Sequence, residues 1–282
     1  MTISQFTGTA LPTRVVAHRG FHDNVNGPYE NSMGGFEKGV AAGVDALETD
    51  VYRTRDGVLV LHHDPTLANN GPKIADLLYG ELPLLPDGQR IPRLAELAEL
   101  SKRTGAKLAV EIKEGGYELE IVRELQSRIP NANFEIISFV PASISAVEAL
   151  DPSIRTGMLA PRIYEWMRQS ALYPAAVWVS DLLGWHTALD RAQKIGADYI
   201  SVDARQATGS FLADAAKRGI GVDVWTVNDV ATMRRLLAAH VQGIVTDHPN
   251  VAMQLRDAAV AGVAQLAQLA QLAQLAQLAP AS

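Results

Sequence analysis

The 282-residue chain has no cysteine. That excludes a disulfide framework, a zinc–thiolate site and a thiol nucleophile, and it fits a reducing compartment. Nor is there an excess of basic charge: 25 Lys and Arg stand against 31 Asp and Glu, a formal net charge of −6. Nucleic acids and anionic membranes are met by a basic face, so neither partner is expected. An anionic small-molecule substrate stays open, because a bound cation can reverse a local field. No apolar run approaches the roughly 18 residues that span a bilayer. The N-terminal MTISQFTGTALPTR also lacks the basic and apolar regions of a secretory leader. A cytoplasmic protein without stable membrane insertion is the expectation.

What the chain does contain is a regular alternation. Short apolar runs read as strands at VVAHRG (15–20), ALETDV (46–51), LAVEIK (108–113), EIISFV (135–140), RTGMLA (155–160), YISVDA (199–204), VDVWTV (222–227) and GIVTDH (243–248). Helix-like stretches lie between most of them: MGGFEKGVAAG, IPRLAELAELSKRTG, YELEIVRELQSR, GSFLADAAKRG and VATMRRLLAAH. Apolar strands alternating with amphipathic segments predict a parallel sheet covered by helices. Eight such units in about 250 residues predict an α/β fold of the (β/α)8 TIM-barrel type.

One run falls outside that count. VLVLHHD (58–64) follows ALETDV too closely for a parallel crossover, and Asp56-Gly57 is a strong turn signal. A β-hairpin extension after the second strand is therefore expected. With a two-residue turn, Asp50 would oppose His63 and Val51 would oppose His62, so that Glu48, Asp50 and His63 share one face. The C-terminus differs in kind: from Ala264 the triplet Ala-Gln-Leu repeats five times. A three-residue period drifts around a 3.6-residue helix and paints no single apolar face. The sequence thus divides into an N-terminal extension (1–13), a barrel (14–257) and a low-complexity tail (258–282) read as a frayed helix or disordered extension, with weak self-association as the alternative.

Polar groups gather near the ends of the apolar strands. His18 and Arg19 close the first; Glu48 and Asp50, two apart, point the same way on the second; Glu111 and Lys113 repeat that spacing on a later one. At the carboxyl ends of barrel strands these would face one pocket. Three bare carboxylates would repel one another, whereas an all-oxygen set suits a hard divalent ion, Mg²⁺ or Ca²⁺. The structural alternative is that Glu111 pairs with Lys113 or Arg19, and that Glu48 and Asp50 accept backbone hydrogen bonds. Two histidines, a carboxylate cluster and two cations together match the needs of phosphodiester cleavage.

In this order, VAHRGFHDNVNGPYENS, ALETDVYRTRDGVLVLHHDPTL, IPRLAELAEL, LAVEIK, VDVWTVND and GIVTDHP resemble the glycerophosphodiester phosphodiesterase family over residues 14 to 250. The resemblance implies a TIM-barrel hydrolase that releases glycerol 3-phosphate and an alcohol with a divalent metal. It implies His18 and His63 as the catalytic acid/base pair, His63 being the histidine directly before Asp64. Glu48, Asp50 and Glu111 would be metal ligands. Arg19 and Lys113 would contact phosphate, Glu30 and Asn31 would support the metal and the HRG loop, and Trp225 would form an aromatic wall. Asp247 and Pro249 read as structural. The stretch ANNGPKIADL departs from the basic, Thr-rich continuation usual after HHDPTL, which bears on the preferred alcohol. Two other readings remain: a lysophospholipase D-like or sphingomyelinase D-like cyclising lyase, and a non-catalytic phosphate-binding barrel.

Overall fold

A computed structural model describes residues 12–67, 71–160 and 185–278. Eight parallel strands close on themselves: β1 (Arg14–Ala17), β2 (Ala46–Arg53), β4 (Leu108–Ile112), β5 (Phe134–Ser138), β6 (Arg155–Leu159), β7 (Tyr199–Asp203), β8 (Gly221–Trp225) and β9 (Gly243–Thr246). β1 pairs with both β2 and β9, which completes the ring. The five helical stretches read from the sequence form α1 (Met33–Ala42), α2 (Leu94–Thr104), α3 (Glu118–Gln126), α6 (Gly209–Lys217) and α7 (Val230–Ala238). Among the described residues, two more helices lie between strands, α4 (Pro141–Leu150) and α5 (Trp185–Ile195). The first begins PASIS, where Pro at the start and β-branched and hydroxyl side chains blur the helical signal.

Most of the apolar mass lies outside the barrel, where alternate strand residues such as Val51, Val110, Ile112 and Ile136 meet the helices. Inside, Val16, Ala46, Ala109, Ile137, Leu159 and Val245 form a middle layer with the Tyr199 ring. Below it, at the amino ends of the strands, Arg14 bridges Glu135 at 2.7 Å and Asp223 at 2.5 Å. The guanidinium lies 5.3 Å from the Tyr199 ring centre. The floor is thus closed by a paired ionic network, which separates a hollow beneath it, lined by Arg14, Glu135 and Arg155, from the cavity at the carboxyl ends of the strands.

The hairpin strand β3 (Leu59–Leu61) runs antiparallel to β2, but not in the expected register. Val51 faces Leu61 and Tyr52 faces Val60, one residue away from the two-residue-turn alignment. The loop holds three residues, Arg55, Asp56 and Gly57. Gly57 N–H donates to Thr54 O (3.0 Å) and Gly57 adopts φ 81°, the left-handed position such a loop requires. Asp50 is therefore opposite His62, whose N–H donates to Asp50 O at 3.0 Å. The ladder ends there, and the chain turns so that His63, not His62, lines the barrel mouth.

The last helix, α8 (Pro249–Leu278), continues through the Ala-Gln-Leu repeat without a break at residue 257, so the repeat is helical as far as Leu278. No helix of the described residues is long and apolar enough to cross a membrane. Residues 1–11, most of the expected N-terminal extension, and residues 68–70 of ANNGPKIADL lie outside the described residues.

Candidate active site

At the carboxyl ends of the strands lies a cavity of about 440 Å³. One wall carries His18, Arg19, Glu48, Asp50, His63, Glu111 and Lys113; the other carries Ile137, Phe139, Leu159, Trp225 and Val245. Strand register explains the charged wall. Asp50 pairs with Glu111 across β2 and β4, and Glu48 sits two residues earlier on the same face of β2. One oxygen from each of the three carboxylates falls within a 4.8 Å cluster, and all three side chains are buried.

The carboxylates are not equivalent. Asp50 accepts from Lys113 Nζ (3.1 Å) and Asn31 Nδ2 (2.9 Å), and Arg19 Nε lies 3.5 Å away. Burial pushes its pKa up, but Lys113, Arg19 and His63 outweigh that and hold it down at about 2. Glu111 pairs with Lys113 at 2.9 Å, the pairing raised as an alternative from the sequence, yet burial and the Asp50 charge push its pKa up to about 7. Glu48 accepts from the Arg19 backbone N–H at 2.8 Å, again as that alternative supposed. Burial and the charges of Asp50 and Glu111 push its pKa well up. The two cations therefore do not neutralise the cluster. A divalent ion with oxygen ligands fits what remains, with Glu48, Asp50 and Glu111 as the residues able to hold it.

The loop after β1 has an unusual backbone. Arg19 has φ 51° and Gly20 has φ 81°; a Cβ on Gly20 would lie 2.9 Å from the Gly35 backbone carbon. Close approach to the start of α1 therefore requires glycine here. Asn31, also at positive φ (52°), donates its N–H to Arg19 O at 2.9 Å. Its side chain bonds Asp50, and its Oδ1 accepts from Thr49 Oγ1 at 2.8 Å. Glu30 holds Arg19 Nη1 at 3.0 Å. The structure thus places Glu30 and Asn31 behind Arg19 and Asp50, off the cavity wall.

Each histidine has one ring nitrogen held by a carboxylate. His18 Nδ1 lies 2.6 Å from Asp247 Oδ1, and His63 Nδ1 lies 2.8 Å from Asp64 Oδ1. Among the described residues, neither Nε2 makes a hydrogen bond. Burial lowers the His63 pKa, and Arg19 and Lys113 add to this against Asp50. The Asp247 carboxyl, though burial opposes it, is held far below the usual range by His18, His22 and Asn228, whose Nδ2 donates to Oδ2 at 2.6 Å. Asp247, read as structural from the sequence, is therefore a partner of His18. Its position one residue past the end of β9 is visible in the sequence, but its pairing with His18 follows only from β9 lying beside β1. Trp225 meets Phe139 edge-on at 5.4 Å between ring centres, forming part of the apolar wall.

A protein 28% identical over 87% of this chain and 98% of its own length is the glycerophosphodiester phosphodiesterase of Caldanaerobacter subterraneus subsp. tengcongensis. Among solved structures, a glycerophosphodiester phosphodiesterase of Parabacteroides distasonis superposes with a TM-score of 0.74 at 21% identity, covering 88% of this chain and 98% of that one. A phosphodiesterase of Oleispira antarctica, solved in complex with the product sn-glycerol-3-phosphate, superposes with a TM-score of 0.70 at 22% identity, covering 87% and 97%. The model of the Glycerophosphoryl diester phosphodiesterase family matches residues 18–251. The chain belongs to that family.

Proposed function

We propose that the protein hydrolyses glycerophosphodiesters to glycerol 3-phosphate and an alcohol, in a metal-dependent reaction with histidine acid/base catalysis. The observation that carries this reading is the convergence of three buried carboxylates and two carboxylate-held histidines on one cavity. Family membership and the relative from Caldanaerobacter support the substrate class.

A divalent ion held by Glu48, Asp50 and Glu111, Mg²⁺ or Ca²⁺ by the chemistry of its ligands, would supply positive charge against a nonbridging phosphate oxygen. The remaining work belongs to the chain. Arg19 and Lys113, each anchored to Asp50 from a different side, present charge to the phosphoryl group without moving. His18 and His63 exchange a proton through Nε2, one taking it from the attacking oxygen and the other giving it to the departing alkoxide. The carboxylates on Nδ1 fix the ring orientations, and Asp247 stabilises the imidazolium when His18 is protonated. Trp225 and the apolar wall exclude water from one side and pack against carbon.

A panel of glycerophosphodiesters, assayed for glycerol 3-phosphate with and without chelator, tests the reading. Release that stops on chelation and returns with Mg²⁺ or Ca²⁺ is expected; release insensitive to exhaustive chelation would contradict it. Phosphorus NMR of the products separates hydrolysis from cyclisation, since only a cyclising lyase leaves a cyclic phosphate as its product.

A further inference from the structure

We propose that His18, His22 and Asp247 form a second cation site, suited to a zinc-class metal, and that its occupancy switches the enzyme off. The inhibitory half of this inference rests on the acid/base role given to His18 above; the site itself does not.

His18 Nδ1 lies 2.6 Å from Asp247 Oδ1, and His22 Nε2 lies 3.4 Å from the same oxygen. All three ligand atoms fall within 4.8 Å of one another. A tetrahedral zinc with bonds of roughly 2.0–2.1 Å needs ligand atoms about 3.3 Å apart. The His22–Asp247 spacing already fits, and opening the His18–Asp247 contact by less than about 1 Å would complete the set.

An independent observation points to a missing ligand. Both ring nitrogens of His22 are buried without a well-formed hydrogen bond: Nδ1 has no partner among the described residues, and Nε2 meets Asp247 Oδ1 only at 3.4 Å. Buried polar groups are ordinarily satisfied, and an imidazole held this loosely needs a reason. Its ring is held beside Asp247 by the turn at Gly20 and by Phe21 N–H, which donates to Gly35 O at 2.9 Å. Asn228 fixes the other oxygen of Asp247, so that Oδ1 stays aimed at the two rings. A separate cavity of about 520 Å³, lined by Phe21, His22, Asp247 and His248, gives an entry route and room for a water ligand.

The two sites differ in chemistry. Three carboxylates select hard Mg²⁺ or Ca²⁺, whereas two imidazoles and one carboxylate select borderline metals such as Zn²⁺ or Co²⁺. Coordination through Nδ1 leaves the His18 proton on Nε2. The nitrogen facing the cavity then cannot accept a proton, and the cycle stops.

The test uses the intact protein stripped of metal and then saturated with Mg²⁺. Added Co²⁺ should bind in one equivalent with the visible absorption of low-symmetry nitrogen–oxygen ligation, and Zn²⁺ should displace it. Turnover should fall along the same Zn²⁺ titration, with a midpoint unmoved by further Mg²⁺. His22→Ala, and His22→Gln as the variant better able to keep the packing, should raise both midpoints at least ~10-fold. Unchanged zinc binding in both variants would overturn the site, as would a midpoint that rises in proportion to Mg²⁺, which would place zinc at the carboxylates. Zinc bound through His22 with turnover untouched would overturn the switch and identify the His18 assignment as the failed premise.

Discussion

Asp50 and Glu111 face each other across two strands, yet one carboxyl is held at about 2 and the other at about 7. The difference follows from partners: Asp50 has Lys113, Arg19 and Asn31, whereas Glu111 has the Lys113 cation set against burial and the charged Asp50 beside it. Like charges this close cost on the order of 3 kcal/mol per pair at an effective dielectric near 20. Glu111 thus binds its proton more tightly in the folded chain than in the unfolded one. Its contribution to stability is complete below the unfolded value and is lost as pH rises through about 7. In urea titrations, the metal-free protein should lose stability as pH rises from about 4.5 to about 7.5, and Glu111→Gln should make that slope shallower, with Glu48, whose pKa is also raised, supplying the rest. The same substitution should weaken divalent-metal binding, so one change moves stability and affinity in opposite directions. His18→Ala or His63→Ala should lower turnover by about 10²–10⁴-fold, measured as glycerol 3-phosphate release. Asn31→Ala leaves Asp50 without its amide donor and should cost about 10–100-fold in metal affinity by equilibrium dialysis.

At the scale of elements, the hairpin shows what a sequence carries and what it omits. Asp56-Gly57 announced a turn, and the turn is there. Loop length was not legible, because a two-residue and a three-residue loop both place glycine at positive φ. The one-residue change in register puts His62 opposite Asp50, and only the end of the ladder at Leu61 brings His63 into the cavity. His63 lines the cavity as expected, although the alignment that pointed to it does not hold. Nothing lies within 4 Å of a Cβ added at Gly57, so Gly57→Ala should cost about 1–2 kcal/mol from backbone conformation alone, read as a shift in urea midpoint with little change in turnover. The EIK and ETD patterns were legible because period-two spacing on a strand fixes a face. Asp247 and His22 were not, because their meaning depends on β9 lying beside β1, a contact between residues more than 200 positions apart.

Across the whole molecule, polar groups are divided between the two ends of the barrel. At the floor, Arg14 is ion-paired with Glu135 and Asp223 beside Tyr199. At the mouth, the carboxylates exceed their cations. That asymmetry separates structure from chemistry within one strand set. A Cβ at Gly157 would lie 2.4 Å from the Tyr199 ring, so Gly157→Ala should destabilise the fold by about 1–3 kcal/mol while leaving metal affinity near its native value. The barrel class was readable from strand–helix alternation; the ionic floor was not, since its members come from three strands with no shared motif.

The central claim is that the strand ends grip a phosphoryl group between a cation and two imidazoles. Its most direct test is a crystal structure grown with Mg²⁺ or Ca²⁺ and glycerol 3-phosphate. The account predicts one ion bound by Glu48, Asp50 and Glu111 at roughly 2.0–2.6 Å, with a phosphate oxygen as a further ligand and the Nε2 atoms of His18 and His63 turned toward the phosphoryl group. Phosphate bound elsewhere, or an ion that leaves those three carboxylates paired only with Arg19 and Lys113, would contradict it.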